Sequence, residues 1–529
     1  MGAGGASDVL IVGGGHNGLV CAYYLAERGL KVTVLEARAV IGGAAVTEAF
    51  HPGFRNSTAS YTVGLLNPKI IKDMSLYERG LKVVLRKIDN FLPTEGGAYL
   101  LAGRGGLTKS EIARHSAADA ANYDAYADAL NAVVGVLRQW LLRAPPNAGG
   151  GLGELLPLLK LGAGVNRLTL EEQRHLVDFF TRSAADILQR YFSTELVQAL
   201  FGFDAVVGHY ASPYAPGSAY VLLHHVFGEA AGVAGAWGHA IGGMGAITGA
   251  MAKACKDKGV EIVLETPVDE IIVERGRAAG AVAAGRTWRA KAVAAGVNPK
   301  LLFGRLLPEG AVEAAVSRRM AGWASESATF RMNVALSELP RFTSLPEPGD
   351  HLTAGIIVGP SLGYMDRAWL SARTDGFSKE PVVEMLIPST LDDSLAPPGS
   401  HVASLFCQHF PYDVPGGWDA RRDEAADAII TQVDRFAPGF ARSVIGRLAL
   451  SPLDLERRFG LVGGDIFHGK MGLDQLFANR PMLGHADYRM PLAGLYLCGS
   501  GAHPGGGVTG APGHNAAHII LKDRRRLGL

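Results

Sequence analysis

Short apolar runs alternate with amphipathic stretches along this chain, and the pattern changes character several times. Val9–Val12 is an unbroken apolar run, suited to a strand buried on both faces. Leu19–Arg28 comes next with helical spacing, so that Leu19, Ala22, Tyr23, Leu25 and Ala26 share one face, and Gly29 suits the helix end. Val32–Leu35 is a second strand. From Leu81 the pattern shortens: Val83–Ile88 and Ala98–Ala102 read as strands bounded by Gly and Pro. Ser116 and Asp119 then make a capping-box-like start to a long amphipathic helix carrying Tyr123, Tyr126, Leu130, Val133, Val134, Leu137, Trp140 and Leu141. The glycine-rich stretch Arg143–Gly153 ends it. Thr169 with Glu172 opens further helix that runs, with interruptions, to about Leu200.

The second half of the chain repeats these themes. Gly242–Ala246 precedes an Ala-rich helix through Lys256, then a strand at Glu261–Leu264 and another at Glu270–Glu274. Pro308–Gly460 alternates apolar runs (Ala354–Val358, Val382–Ile387, His401–Phe410) with loops, and carries a helix from about Asp423 to Phe436. Gly494–Cys498 is a buried strand, and a last helix begins near Gly513. The class expected is α/β, with an inserted α+β part.

Chemistry enters at Gly13, Gly15 and Gly18, which form G-x-G-x-x-G between the first strand and its helix. Gly13 permits the tight turn, and Gly15 leaves backbone open to a pyrophosphate. Gly18 lets helix and strand pack closely, and the helix N-terminus offers N–H groups and a positive dipole end. Glu36 closes the second strand, where a carboxylate can hydrogen-bond ribose hydroxyls and disfavours a 2′-phosphate. His16, Asn17 and Ala37 stand within the same loops and are expected to contact the cofactor.

The residues after Glu36 discriminate between cofactors. Arg38 and then Gly42-Gly43 give E-x-R-x-x-x-G-G, which resembles the paired-glycine motif of FAD oxidoreductases related to amine oxidases and phytoene desaturases. The resemblance implies that the glycine pair runs beside the pyrophosphate and that Arg38 lies near the adenosine half. Family members often carry Arg directly after the glycines; this chain has Ala44, so a guanidinium there is missing or comes from elsewhere. Gly242–Val268 resembles the phytoene desaturases in its order of glycine turn, helix, K-G-V turn and strand, and implies a backbone contact from Val268 to the adenine. Gly463–Pro481 resembles the pyridine nucleotide-disulphide oxidoreductase domain-containing protein 2 group, a branch near the phytoene desaturases and carotenoid isomerases. Gly499, Ser500, Gly507, Val508 and Thr509 match the C-terminal FAD motif, although many amine oxidase relatives have an acid where Ser500 stands.

The architecture so implied is a Rossmann-type, GR2-like FAD-binding domain assembled from 1–80, 238–307 and 461–529. A substrate domain with a helical part is expected from 81–237 and 308–460. The activity implied is hydride transfer from a hydrophobic, isoprenoid or lipid-like substrate to the flavin, with an unidentified electron acceptor. Alternatives are a redox-neutral isomerase working on reduced FAD, an FAD-holding regulatory protein, and an amine oxidase. His468 is the candidate acid–base or substrate-orienting residue, and Arg55 a candidate flavin-edge or substrate contact. Phe406–Phe410 is a candidate pocket lining.

Composition narrows the rest. A net charge of +1 over 529 residues gives no general attraction to nucleic acid. The four cysteines, Cys21, Cys255, Cys407 and Cys498, form no C-x-x-C pair, which argues against a dithiol centre or a zinc site. His224 and His225 are adjacent and make a poor metal pair, so no metal is expected. No targeting segment is visible, and a reduced cytoplasmic setting is expected. The basic tail Lys522–Arg526 suits a helix end, with peripheral membrane contact as the alternative. Oligomeric state is not readable from the chain.

Overall fold

The computed structural model describes residues 2–147, 155–224 and 226–529. Most of the glycine-rich stretch, at 148–153, and His225 of the adjacent histidine pair lie outside them.

Two sheets carry the architecture. In the first, Gly2–Val12 pairs in parallel with Val32–Leu35 on one side and Arg286–Ala295 on the other. Glu261–Val263 extends it beyond Val32–Leu35. Arg286–Ala295 is long enough to take two partners on its far side. Arg277–Ala283 pairs antiparallel with its first half, and Leu495–Leu497 in parallel with its last residues. The hairpin strand Val268–Glu274 forms the far edge. One sheet therefore draws on chain from both ends and from the middle. Val9, Leu10, Ile11 and Val12 are buried, as a strand covered on both faces requires. His16–Ala26 packs against Ala511–Lys522 and Met244–Asp257. The approach is close: a Cβ on Gly513 would lie 2.0 Å from the Asn17 carbonyl oxygen.

The second sheet runs Val444–Leu450, Thr329–Leu336, His401–Gln408, Val382–Leu386, Gly355–Val358, Asn90–Pro93, Tyr99–Ala102. It is antiparallel except where Gly355–Val358 meets Asn90–Pro93. One face packs on Trp418–Phe436 through Val383, Met385 and Cys407. The other meets the helices Ala117–Leu141, Leu170–Thr181, Ala184–Tyr191, Glu195–Gly202 and Ala219–His224. Ser116 caps the first of these through the Asp119 N–H, and Thr169 with Glu172 forms a full capping box.

Two elements differ from expectation. The strand placed at Val83–Ile88 is only Val83–Leu85, and it leaves the second sheet to pair with Gly238–Ala240. Arg86 ends it because its guanidinium turns inward to the Thr62 hydroxyl. The helix placed from Asp423 begins at Trp418, whose buried indole anchors the first turn after Gly416-Gly417. All four cysteines are buried free thiols. Among the described residues no helix is long and apolar enough to cross a membrane, and no His, Cys, Asp and Glu cluster could hold a metal. In the basic tail Arg526 pairs with Asp523, which Arg489 also holds.

Candidate active site

A cavity of about 780 Å³ runs from the glycine-rich turn into the space between the two sheets. At its start, Gly13 takes φ +97°, a left-handed value that a side chain rarely adopts. A Cβ on Gly18 would lie 2.2 Å from the Gly13 carbonyl oxygen, so helix and turn close on each other there. Gly15 is the contrast. A Cβ there would meet only the Gly43 Cα, at 3.9 Å, an ordinary contact, whereas one on Gly43 would come within 3.1 Å of the Gly15 Cα, so the two bare backbones lie against each other on the cavity wall. The helix His16–Ala26 has no side-chain cap and no acid in its first turn, so its leading N–H groups remain available to an anion.

Glu36 is buried at the next bend. Its Oε2 accepts the Gly14 N–H at 2.8 Å and its Oε1 the Arg38 N–H at 2.9 Å. It thus braces the loop and still presents lone pairs to the cavity it lines. Arg38 reaches back to the Gly43 carbonyl at 3.4 Å and pairs with Glu48 at 2.7 Å. Burial pulls the Glu48 carboxyl up, but the Thr58 hydroxyl, Arg38 and Arg458 outweigh it and hold it below the usual range. Ala37, Ala44 and Val268 line the same end; Gly42 stands behind, donating to the Gly14 carbonyl at 3.0 Å. The cations lining the cavity in place of an arginine at Ala44 are Arg38, Arg305, Arg457 and Arg458, with Arg86 deeper inside.

The C-terminal stretch supplies the facing wall. Ser500 Oγ accepts from Asn17 Nδ2 at 3.0 Å, joining the two ends of the chain. Gly507 and Val508 line the cavity, Val508 with φ +59°. His468 lines it too, in a left-handed conformation at φ +58°. Burial, with Arg480 adding to it, pushes the His468 imidazole down to about 4. Burial likewise takes His16 down to about 3, with His468 contributing. Two neutral imidazoles therefore share this wall, and His16 Nε2, His468 Nδ1 and Asn17 Oδ1 have no partner among the described residues.

Some expected contacts stand elsewhere. Arg55 does not reach the cavity: on the strand Phe54–Ser57 its neighbours Phe54 and Asn56 are buried, so the alternation turns Arg55 to the exposed side. Gly499 is packed against Gly296, where a Cβ would lie 2.8 Å from the backbone. Thr509 does not line this cavity; its hydroxyl accepts the Ala511 N–H at 3.1 Å, ahead of the last helix. Of Phe406–Phe410, Phe406 lines the cavity while Cys407 and Phe410 pack into the core on the sheet's other face.

Residues 18–318 match the family described as flavin containing amine oxidoreductase. The chain belongs to that family. It is 40% identical, over 98% of its length and 94% of the relative's, to pyridine nucleotide-disulfide oxidoreductase domain-containing protein 2 of Rattus norvegicus. A lycopene-forming phytoene desaturase of Pseudescherichia vulneris is 25% identical over 97% of this chain and 99% of its own. The solved structure of an oxidoreductase from Methanosarcina mazei has the same fold, with a TM-score of 0.62 at 16% identity, covering 97% of this chain and 100% of that one. The protein is thus a flavin-containing oxidoreductase with FAD as its cofactor. Its own residues fit that group: the bare Gly15 and Gly43 backbones, the start of the uncapped helix and the three residues with unpartnered polar atoms, His16, Asn17 and His468, all line one cavity.

Sequence reasoning missed the buried arginines. Arg480 is fully buried and donates to the carbonyls of Phe467, Gly469, Gln475 and Ser500, tying the 467–480 segment to the turn at Ser500. Burial pushes its guanidinium down to about 10, while Asp465 opposes that shift. Burial raises Asp465 itself to about 6. The only sequence signal was an arginine amid small and apolar residues. Arg86, Arg331 and Glu384 gave no signal at all, since they meet only through the tertiary fold.

Proposed function

We propose that the protein is an FAD-dependent dehydrogenase or desaturase acting on a largely apolar substrate. The supporting observation is the continuation of the cavity past His468 and Val508 into a wall of Tyr61, Phe203, Val207, Trp237 and Phe406. FAD, when bound, supplies a two-electron acceptor at its ring. The chain does the rest. The loops at Gly15 and Gly43 hold the phosphates, and the Ser500–Val508 stretch positions the ring system. The apolar wall orients the substrate and excludes water.

His468 serves this reading as a neutral hydrogen-bonding group on the wall, able to take a proton and unable to carry a standing charge at neutral pH. His468→Asn tolerates the left-handed backbone and removes the ring. The expected result is a drop in kcat of tenfold or more with flavin content retained. An unchanged kcat in flavin-loaded protein removes His468 from the chemistry.

The test of the function is anaerobic bleaching of the bound flavin by apolar polyenes and saturated terpenoids, followed by product analysis. Bleaching with formation of a new double bond supports the reading. Turnover of amines with peroxide release, and no bleaching by apolar compounds, assigns the site to amine oxidation instead.

A further inference from the structure

The apolar part of the cavity carries a polar station built from buried groups. Tyr61 and Phe406 stack at 5.0 Å between ring centroids. The Tyr61 hydroxyl donates to Glu384 Oε2. Glu384 lies opposite Phe406 in the sheet register and shares its face. Arg86, 3% exposed, lines the same wall and donates to the Thr62 hydroxyl. Arg331, 1% exposed, lies with its guanidinium 4.6 Å above the Tyr61 ring, held by Leu405 and Ser404.

Glu384 and Arg86 are near each other without forming an ion pair. A Cβ on Gly355 would lie 2.6 Å from Glu384 Oε1 and 3.2 Å from Arg86 Nη1. Glycine at 355 is what lets both groups stand there. Among the described residues no group donates to Glu384 Oε1, and it is not sealed from the cavity. One acceptor and one donor therefore lie side by side, within a few ångströms, on a mainly apolar wall whose other polar residues include Asn90 and Asp204.

The charges choose among ligand groups. Arg86 and Arg331 stand by the Glu384 carboxyl, and the half-buried Asp89 is a second acid beside Arg86, so the charges are already near balance and a further buried ammonium, facing both guanidinium groups, finds no free counter-charge. A carboxylate meets Arg86 but is repelled by Glu384. A pure hydrocarbon leaves Glu384 Oε1 without a donor and offers Arg86 no further acceptor. A hydroxyl satisfies both at once, giving its proton to Glu384 and accepting from Arg86. We infer that the substrate is an amphipathic alcohol, with a long apolar body and a neutral hydroxyl that docks between Glu384 and Arg86. This rests on the apolar-substrate reading above and narrows it.

The experiment is equilibrium binding to the flavin-loaded protein, by calorimetry and by perturbation of the flavin absorption band. The probes are n-octanol, n-octylamine, n-octanoate and n-octane. The expected order places n-octanol at least tenfold tighter than each of the other three. Glu384→Gln and, as a second variant that keeps the ring stack, Tyr61→Phe report on the station separately. Glu384→Gln is expected to weaken n-octanol by tenfold or more and to leave n-octane within twofold. Tyr61→Phe frees the other carboxyl oxygen and is expected to shift n-octanol affinity while n-octane stays put. Equal affinities for alcohol and hydrocarbon, or tighter binding of amine or carboxylate, overturn the inference while leaving hydride chemistry on an apolar substrate standing. Failure of any apolar compound to bleach the flavin, with n-octanol preference intact, removes the function and keeps the station.

Discussion

At the scale of single residues, the two glycines that matter most behave in opposite ways. Gly18 is required by packing and Gly15 by a ligand. A methyl at Gly18 strikes backbone at 2.2 Å, whereas one at Gly15 meets only the Gly43 Cα, at an unstrained 3.9 Å, on the cavity wall. Gly15→Ala should therefore fold with a melting temperature of the apoprotein close to the parent's and bind FAD at least tenfold more weakly, read from flavin absorbance per protein after gel filtration. A large loss of apoprotein stability would show that Gly15 is a packing glycine. The motif makes this position legible in the chain itself, because turn, helix and acid occur at fixed offsets. Arg55 misleads for an equally physical reason. Which face of a strand meets the cavity depends on pairing and burial, and a lone arginine in a polar segment carries no sign of either.

At the scale of elements, Arg480 acts as a clamp between the 467–480 segment and the Ser500 turn. Its planar fork serves four carbonyls, which an ammonium on a flexible stem cannot do. Arg480→Lys keeps the charge but gives up part of the fork, and each hydrogen bond lost from a charged donor should cost about 1.5–3 kcal/mol. It should also lower FAD retention, measured by denaturant melts of apo and loaded protein. If both forms lose nothing, the clamp is dispensable. Gly513→Ala tests the other junction. Its Cβ meets the Asn17 carbonyl at 2.0 Å, so the last helix must shift away from the first, at about 1–3 kcal/mol. The helices themselves were legible from their spacing and caps, as with Thr169 and Glu172. The junctions between them were not, because a carbonyl at the opposite end of the chain leaves no trace in the local pattern.

At the scale of the whole molecule, burial has filled the interior with neutral imidazoles. It takes His16 and His409 down to about 3, and His209, His468, His503 and His514 down to about 4, from an ordinary 6.5. Each binds fewer protons folded than unfolded between those values, so stability is lost as pH falls below 6.5. The loss is at most about 1.4 kcal/mol per pH unit for each group. Asp465 works the other way: raised to about 6 by burial, it favours the fold as pH drops through that value. Burial also lowers His351 and His401 and raises Asp89, so eight histidines against two acids decide the sign. The melting temperature should fall steeply between pH 6.5 and 4, and a flat profile across that window would mean that these histidines are hydrated. None of this was readable from sixteen histidines scattered along the sequence.

The strand Arg286–Ala295 has a consequence for how the protein is made. Gly2–Val12 is made nearly three hundred residues ahead of Arg286–Ala295, its partner on one side, and Leu495–Leu497, which pairs with Arg286–Ala295, follows later still. Until then an apolar strand waits with an unpaired edge, which is the kind of surface that sticks to other nascent chains. A chain stalled before residue 286 is therefore expected to pellet with other released chains, and one carried past Leu497 to stay in the supernatant.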